Sequence, residues 1–261
     1  MKYTFAGLSK QVLLFTLAIA IAGTQSFAQD TTAAKKWNFL LEPYLLFPNM
    51  QGAVGVGTLP DATLDVEASD IFSHFKIGAL LYFEAAKGRW AFTTDIVYMK
   101  LGQDVKQGTI INHGEATVKQ FLWEVAALRK LMPWLEGGIG LRLTSLDTEL
   151  DLVTNNIGGG TTARNKSLTQ TWVDPIIIAR IKSSMDKKFI YQFRGDIGGF
   201  GIGSDLTWQL QSYLGYRFSK LFQATAGYRI IGVDYSKGSG DESFLYDVNT
   251  FGPVVRFGFN F

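Results

Sequence analysis

The chain contains no cysteine. That excludes disulfides, thiolate metal sites, a cysteine nucleophile and a lipidated N-terminal cysteine. It fits an exported protein that stays unfolded in an oxidising compartment before it assembles. Histidine is nearly as scarce: only His74 and His113 occur, and two histidines without a cysteine or a spaced set of carboxylates give no metal geometry. An excess of one charge is also missing. The chain has 25 Lys+Arg against 23 Asp+Glu, and the first 28 residues hold Lys2 and Lys10 with no acid. Beyond them the balance is neutral, which gives no case for nucleic acid or a polyanionic partner. Finally, no apolar run past residue 28 reaches the roughly 20 residues that a membrane-crossing helix needs.

What is present at the N-terminus is a short apolar run, VLLFTLAIAIA at 12–22, preceded by Lys2 and Lys10 and followed by Ser26-Phe27-Ala28. A charged n-region, an h-region and a small-x-small site predict a secretory signal peptide over 1–28, with the mature chain starting at Gln29. The run is too short to cross a bilayer core of about 30 Å.

The remainder is rich in aromatics (14%) and glycine (28 residues) and poor in proline (6), and its apolar residues alternate instead of clustering. In LTWQLQSYLGYRF, residues 206–218, Leu206, Trp208, Leu210, Leu214, Tyr216 and Phe218 share one face, and Thr207, Gln209, Gln211, Tyr213 and Arg217 share the other. Ten such segments can be marked, near 37–47, 74–86, 89–102, 115–130, 133–150, 167–183, 188–198, 204–219, 222–236 and 243–261. Most exceed ten residues, whereas strands of soluble domains average five or six. Short turns at 86–88, 131–133, 185–187 and 219–221 alternate with longer links at 48–73, 103–114, 151–166, 198–204 and 237–242. Long alternating strands joined by short turns at one end and long loops at the other predict an all-β, up-and-down transmembrane barrel of about ten antiparallel strands over 29–261, in the outer membrane. With an even strand count both chain ends lie on the short-turn, periplasmic side, where Trp37, Trp90, Trp134 and Phe261 belong to an aromatic girdle.

The chain ends VVRFGFNF, with Phe257, Phe259 and Phe261 on one face. This is the expected closing strand, paired with WNFLLEPYLLF at 37–47 so that no edge is left in hydrocarbon. The phenylalanine stripe also resembles the C-terminal assembly signal of bacterial outer-membrane proteins, which implies that Phe257, Phe259 and Phe261 are read by the barrel-assembly machinery during insertion. The stretches GDIGGFGIGSDLTWQLQSYLGYRF, GYRIIGVDY and FEAAKGRW resemble a family of uncharacterised Gram-negative outer-membrane proteins. That resemblance implies a barrel and no activity. A looser likeness to small barrels of the OmpA and OmpW type rests on pattern alone.

If apolar faces meet lipid, the opposite faces carry charge inward: Glu42, Lys76, Glu84, Asp95, Glu124, Glu136, Arg142, Asp174, Arg180, Arg194, Asp196, Arg217, Arg229 and Arg256. Two readings stand. A network of paired charges fills the lumen, as in barrels near eight strands, or the charges line a narrow path for ions or a small solute. A rim enzyme, a protease or a lipid-modifying hydrolase, would need His74 or His113. Neither histidine matches the acidic-pair and Asp-His pattern of the ten-stranded omptin proteases. The glycine-rich GDIGGFGIGSD at 195–205 lacks phosphate-loop spacing and reads as a tight turn. No catalytic, metal or cofactor site emerges. Segment 48–73 stays ambiguous: a small hairpin around Leu59-Pro60-Asp61, then a helical turn after Ser69, lying above the membrane or in the lumen.

Overall fold

The computed structural model describes residues 36–56, 62–69, 75–104, 111–155, 160–184 and 186–261. The predicted signal peptide and the start of the mature chain lie outside these residues. The protein folds into one antiparallel sheet. Its strands are β1 (Asn38–Leu46), β2 (Asn49–Val56), β3 (Ala62–Val66), β4 (Phe75–Lys87), β5 (Trp90–Asp104) and β6 (Ile111–Lys130). They continue as β7 (Leu135–Asn155), β8 (Thr161–Lys182), β9 (Phe189–Gly199), β10 (Leu206–Arg217), β11 (Phe222–Lys237) and β12 (Phe244–Asn260). Ten of these follow one another in the order β1-β4-β5-β6-β7-β8-β9-β10-β11-β12, and β12 pairs with β1 to close the ring. Closure is carried to the last residue: Phe39 N–H donates to Phe261 O at 2.9 Å and Phe261 N–H to Phe39 O at 3.0 Å. Every wall strand therefore has ladder partners on both sides at membrane level, which hydrocarbon requires.

The alternation read from β10 is the alternation of the wall. Thr207, Gln209, Gln211 and Tyr213 are buried inside, while Leu206, Leu210 and Leu214 lie on the exposed exterior. On β6, β7 and β8 the exterior changes character at one level. The paired row Trp123–Leu143–Val173 is apolar, and the next, Phe121–Ser145–Thr171, begins a polar zone that continues with Lys119, Asp147 and Thr169. Ser145 and Thr171 hydroxyls bond each other at 2.8 Å, and Thr169 donates to Asp147 at 3.2 Å. From the Leu135–Ile181 pair to the Leu143–Val173 pair the strand advances about 27 Å, most of an apolar band of about 25 Å once tilt is allowed for. At the short-turn end, exposed Trp37, Trp90, Trp134, Phe189, Phe218 and Phe261 mark the interface where aromatic rings settle. Strands β6, β7 and β8, at 20, 21 and 22 residues, rise well past the band at the other end.

The wall is lowest at the β9–β10 turn. Gly199 (φ 85°), Phe200 (φ 53°) and Gly201 (φ 71°) occupy the left-handed region, which glycine enters freely and phenylalanine at a cost. The glycine-rich stretch is thus a tight turn, as its composition predicts, and Phe200 and Ile202 point outward from it, exposed.

The ambiguous segment takes a definite place. The step Phe47-Pro48 breaks the first strand, since proline offers no N–H to the ladder, and a Cβ on the facing Gly252 would lie 1.9 Å from Phe47 O. After the break, β2 pairs with the upper half of β12, from Phe244↔Val56 to Phe251↔Asn49, and β3 pairs back on β2. The hairpin therefore extends the wall upward instead of looping free. Its tip and most of the helical turn expected after Ser69 lie outside the described residues. Among the described residues no helix is long and apolar enough to cross a membrane, which says nothing against crossing by strands.

Candidate functional site in the barrel lumen

Inward alternation brings charged residues from nine strands into one space. Five arginines, Arg142, Arg180, Arg194, Arg229 and Arg256, and seven carboxylates, Glu42, Glu84, Asp95, Glu124, Glu136, Asp174 and Asp196, are buried. Charge taken out of water survives only when paired and hydrogen-bonded, and the pairing here crosses strands far apart in sequence.

Midway up, Arg142 donates to Glu124 Oε2 at 2.8 Å, to Asp196 Oδ1 at 2.6 Å and to Thr207 Oγ1 at 3.0 Å. Arg194 bonds Glu124 Oε1 and lies 3.0 Å from Asp196 Oδ2. Two guanidiniums and two carboxylates thus form a closed quartet. Gln209 extends it, donating to Asp196 at 2.8 Å and accepting from Arg229 Nε at 2.7 Å. Arg229 also donates to the Tyr44 hydroxyl at 2.9 Å and sits 3.0 Å from Asp95 Oδ2, while Tyr44 donates to Asp95 Oδ1 at 2.7 Å. The Arg229–Asp95 contact is a charge contact and not an aligned hydrogen bond, since Asp95 Oδ2 accepts none.

Towards the short turns a second group forms. Arg180 donates to Glu84 at 2.6 Å and to the Tyr82 hydroxyl at 2.8 Å, and pairs with Glu136 at 2.5 Å. Lys182 pairs with the same two acids, at 2.6 Å and 3.4 Å. Arg256 contacts Glu42 at 3.4 Å and donates to the Tyr213 hydroxyl at 2.9 Å. Its guanidinium also lies 4.1 Å from the Tyr213 ring centre and 5.1 Å from those of Tyr44 and Tyr82. Cation–π contacts contribute about 2 kcal/mol or more when desolvated, so the tyrosines supply attraction where a second carboxylate is absent.

The long-loop half of the lumen is apolar. Trp172 stacks on Tyr235 with ring centres 4.0 Å apart, and both pack with Leu146, Val233, Tyr246 and Val248. Met50 and Val54 of the β2 arm pack against this cluster. Asp174 lies just below it and, among the described residues, no cation bridges it. Its oxygens accept from Trp172 Nε1 at 3.1 Å, Ser204 N–H at 2.6 Å and Ser204 Oγ at 2.8 Å, which pins the β9–β10 turn to β8.

The structure thus places Glu42, Glu124, Glu136, Arg142, Arg194, Asp196 and Arg229 inside the lumen. Arg217 is only half-buried, at the short-turn mouth, where it donates to Gln223 and to Lys187 O. A recess of about 50 Å³ opens there. It is lined by Glu84 and Lys182, which belong to the Arg180 group. Phe257, Phe259 and Phe261 are exposed on the exterior of the last strand. The inward aromatics Tyr44, Tyr82, Tyr213, Trp172 and Tyr235 escape a reading based on charge. For Tyr44, Tyr82 and Trp172 the available signal is a charged inward neighbour two residues away, Glu42, Glu84 and Asp174. His113 lies on β6 opposite Val153, and His74 lies outside the described residues. Among the described residues no three His, Cys, Asp or Glu side chains gather in a metal-binding group.

A closed antiparallel ring with an apolar, aromatic-rimmed exterior and a charged interior is an integral membrane β-barrel of the outer-membrane type. No protein-family model matches the chain, and no curated protein matches it. Solved structures similar to it include the outer membrane protease OmpT from Escherichia coli, at 8% identity and TM-score 0.43, covering 90% of this chain and 99% of that one. Ail, the attachment invasion locus protein of Yersinia pestis, is 9% identical at TM-score 0.34, covering 87% and 99%. The toluene transporter TodX of P. putida is 10% identical at TM-score 0.34, covering 90% and 91%. Likenesses at this level say nothing about activity.

Proposed function

We propose that the protein is a non-enzymatic outer-membrane barrel with a closed lumen, whose tall β6–β8 sheet and β2–β3 hairpin face the exterior. The observation that carries this reading is the quartet of Arg142, Arg194, Glu124 and Asp196, fully buried in mid-lumen. A hydrated pore leaves such groups in contact with water, whereas here guanidiniums and carboxylates bond each other, with the aromatic cluster above and the Arg180 group below. The test is conductance of the purified protein in planar bilayers. No discrete steps are expected, and reproducible ion-selective steps would replace the proposal with the narrow-channel reading. Activity on peptides or lipopolysaccharide that is lost in His113→Ala would replace it with the rim-enzyme reading. The same proposal holds that residues 1–28 are removed on export, and that Phe257, Phe259 and Phe261 are recognised by the assembly machinery before the ring closes.

A further inference from the structure

On the exterior of the barrel a groove of about 790 Å³ crosses strands β4 to β8 and ends under the β9–β10 turn. Its size falls within the roughly 300–1,000 Å³ of ligand sites. Its lining is almost wholly apolar, with Phe83, Phe92, Val125, Ile139, Ile177 and Phe200 among its walls, while the outward residues Ala85 and Ala127 keep its floor low.

The groove runs obliquely. Outward residues in one paired row are Ala85, Phe92, Ala127, Ile139, Ile177 and Ile197. Ala85 is two residues from the end of β4 at Lys87, whereas Ile197 is eight residues from the start of β9 at Phe189. The row therefore climbs from the short-turn interface at β4 and β5 to the far edge of the apolar band at β9. Phe200 and Ile202 overhang that upper end. A flexible hydrocarbon chain that starts at the interface and rises into the bilayer has this path.

The lower end carries a cation. Arg129 occupies the row next to Ala127, paired with Trp90. It is exposed, its guanidinium lies 5.7 Å from the Trp90 ring centre, and among the described residues no carboxylate pairs with it. A guanidinium at headgroup depth that keeps its hydrogen-bond fork free suits a phosphate diester.

We propose that this face holds one phospholipid, its acyl chain in the groove and its phosphate on Arg129. The position within the apolar band makes hydrocarbon the occupant, and the cation at the groove's foot makes that hydrocarbon part of an anionic lipid. The inference rests on the membrane-spanning barrel and not on whether the lumen is closed.

Native mass spectrometry of the detergent-purified full chain, titrated with phosphatidylglycerol and with phosphatidylcholine, tests it. The wild type is expected to retain a single phospholipid at detergent concentrations that strip the rest, with phosphatidylglycerol preferred. Ala127→Trp fills the groove from the lipid side and should abolish that retention. Arg129→Gln should erase the preference between the two lipids while leaving a weakened apolar interaction. Heat-dependent gel mobility confirms that each variant is a folded barrel, and Ala127→Leu serves if the tryptophan variant does not fold. Equal lipid stoichiometry in wild type and a folded groove-filling variant would overturn the proposal. So would a wild-type dimer that the same variant dissociates, because the groove would then seat a second copy.

Discussion

Replacing Arg142 by leucine tests whether the lumen is dry. The side chain is fully buried and bonds Glu124, Asp196 and Thr207. Without it, Glu124 and Asp196 share Arg194 as their one remaining guanidinium within contact of both, and Thr207 loses a donor. Removing one partner of a buried ion pair costs about 3–5 kcal/mol, because the abandoned charge stays out of water. Lys119→Leu is the control. Lys119 makes contacts of similar length, 3.3 Å to Asp147 and 2.5 Å to Glu149, but on the exterior beyond the apolar band. Exposed pairs of this kind are screened by solvent, so its removal should leave the unfolding midpoint unchanged. The measurement is urea unfolding of detergent-refolded protein, followed by gel mobility and tryptophan fluorescence. Arg142→Lys, which keeps the charge and loses the fork, should fall between wild type and Arg142→Leu. If Arg142→Leu proves no worse than Lys119→Leu, water reaches the quartet, its charges are screened, and the closed-lumen reading fails.

Other outcomes are as specific. Leu210 lies on the exterior of β10 and 54% exposed to lipid, so Leu210→Arg should cost about 2–4 kcal/mol in refolding, whereas Ser167→Arg, in the polar zone of β8, should be tolerated. Trp172→Ala removes the ring stacked on Tyr235 and should cost about 3–5 kcal/mol as a large-to-small change, read by the same unfolding assay. Phe261 keeps its backbone pairing to Phe39 in Phe261→Ala, and the residue is 66% exposed, so refolding in detergent should lose less than the roughly 1.5–3 kcal/mol of a fully buried phenylalanine. Insertion in cells should fall much further, and equal small losses in both assays would reduce Phe261 to a girdle residue.

The barrel itself was legible in the chain because a period of two is a local property. Each residue's face follows from its neighbours, so Leu210 outward and Gln209 inward could be read from LTWQLQSYLGYRF, and strand ends could be placed to within a few residues wherever turn residues interrupt the alternation. Long strands such as β7 and β8 were underestimated at their tips, where Thr, Asn and charged residues look like loop once the exterior no longer meets lipid. Partnership was not legible. Period two says that Gln209 points inward, but not that it is wedged between Arg229 and Asp196, nor that Arg256 meets Glu42 across 214 positions of sequence and Tyr44 meets Arg229 across 185. Those meetings depend on how far each strand is staggered against the next around the closed ring, a property of the whole sheet that no single strand encodes. The same holds for β2, whose short alternating arm is compatible with a free hairpin until the break at Pro48 and the bare backbone of Gly252 seat it on β12. Composition and alternation determined that this chain spans a membrane as a barrel. Only the tertiary structure decided that its inward charges are near enough to neutralise one another, because Coulomb attraction and hydrogen bonding act over a few ångströms that sequence spacing does not measure.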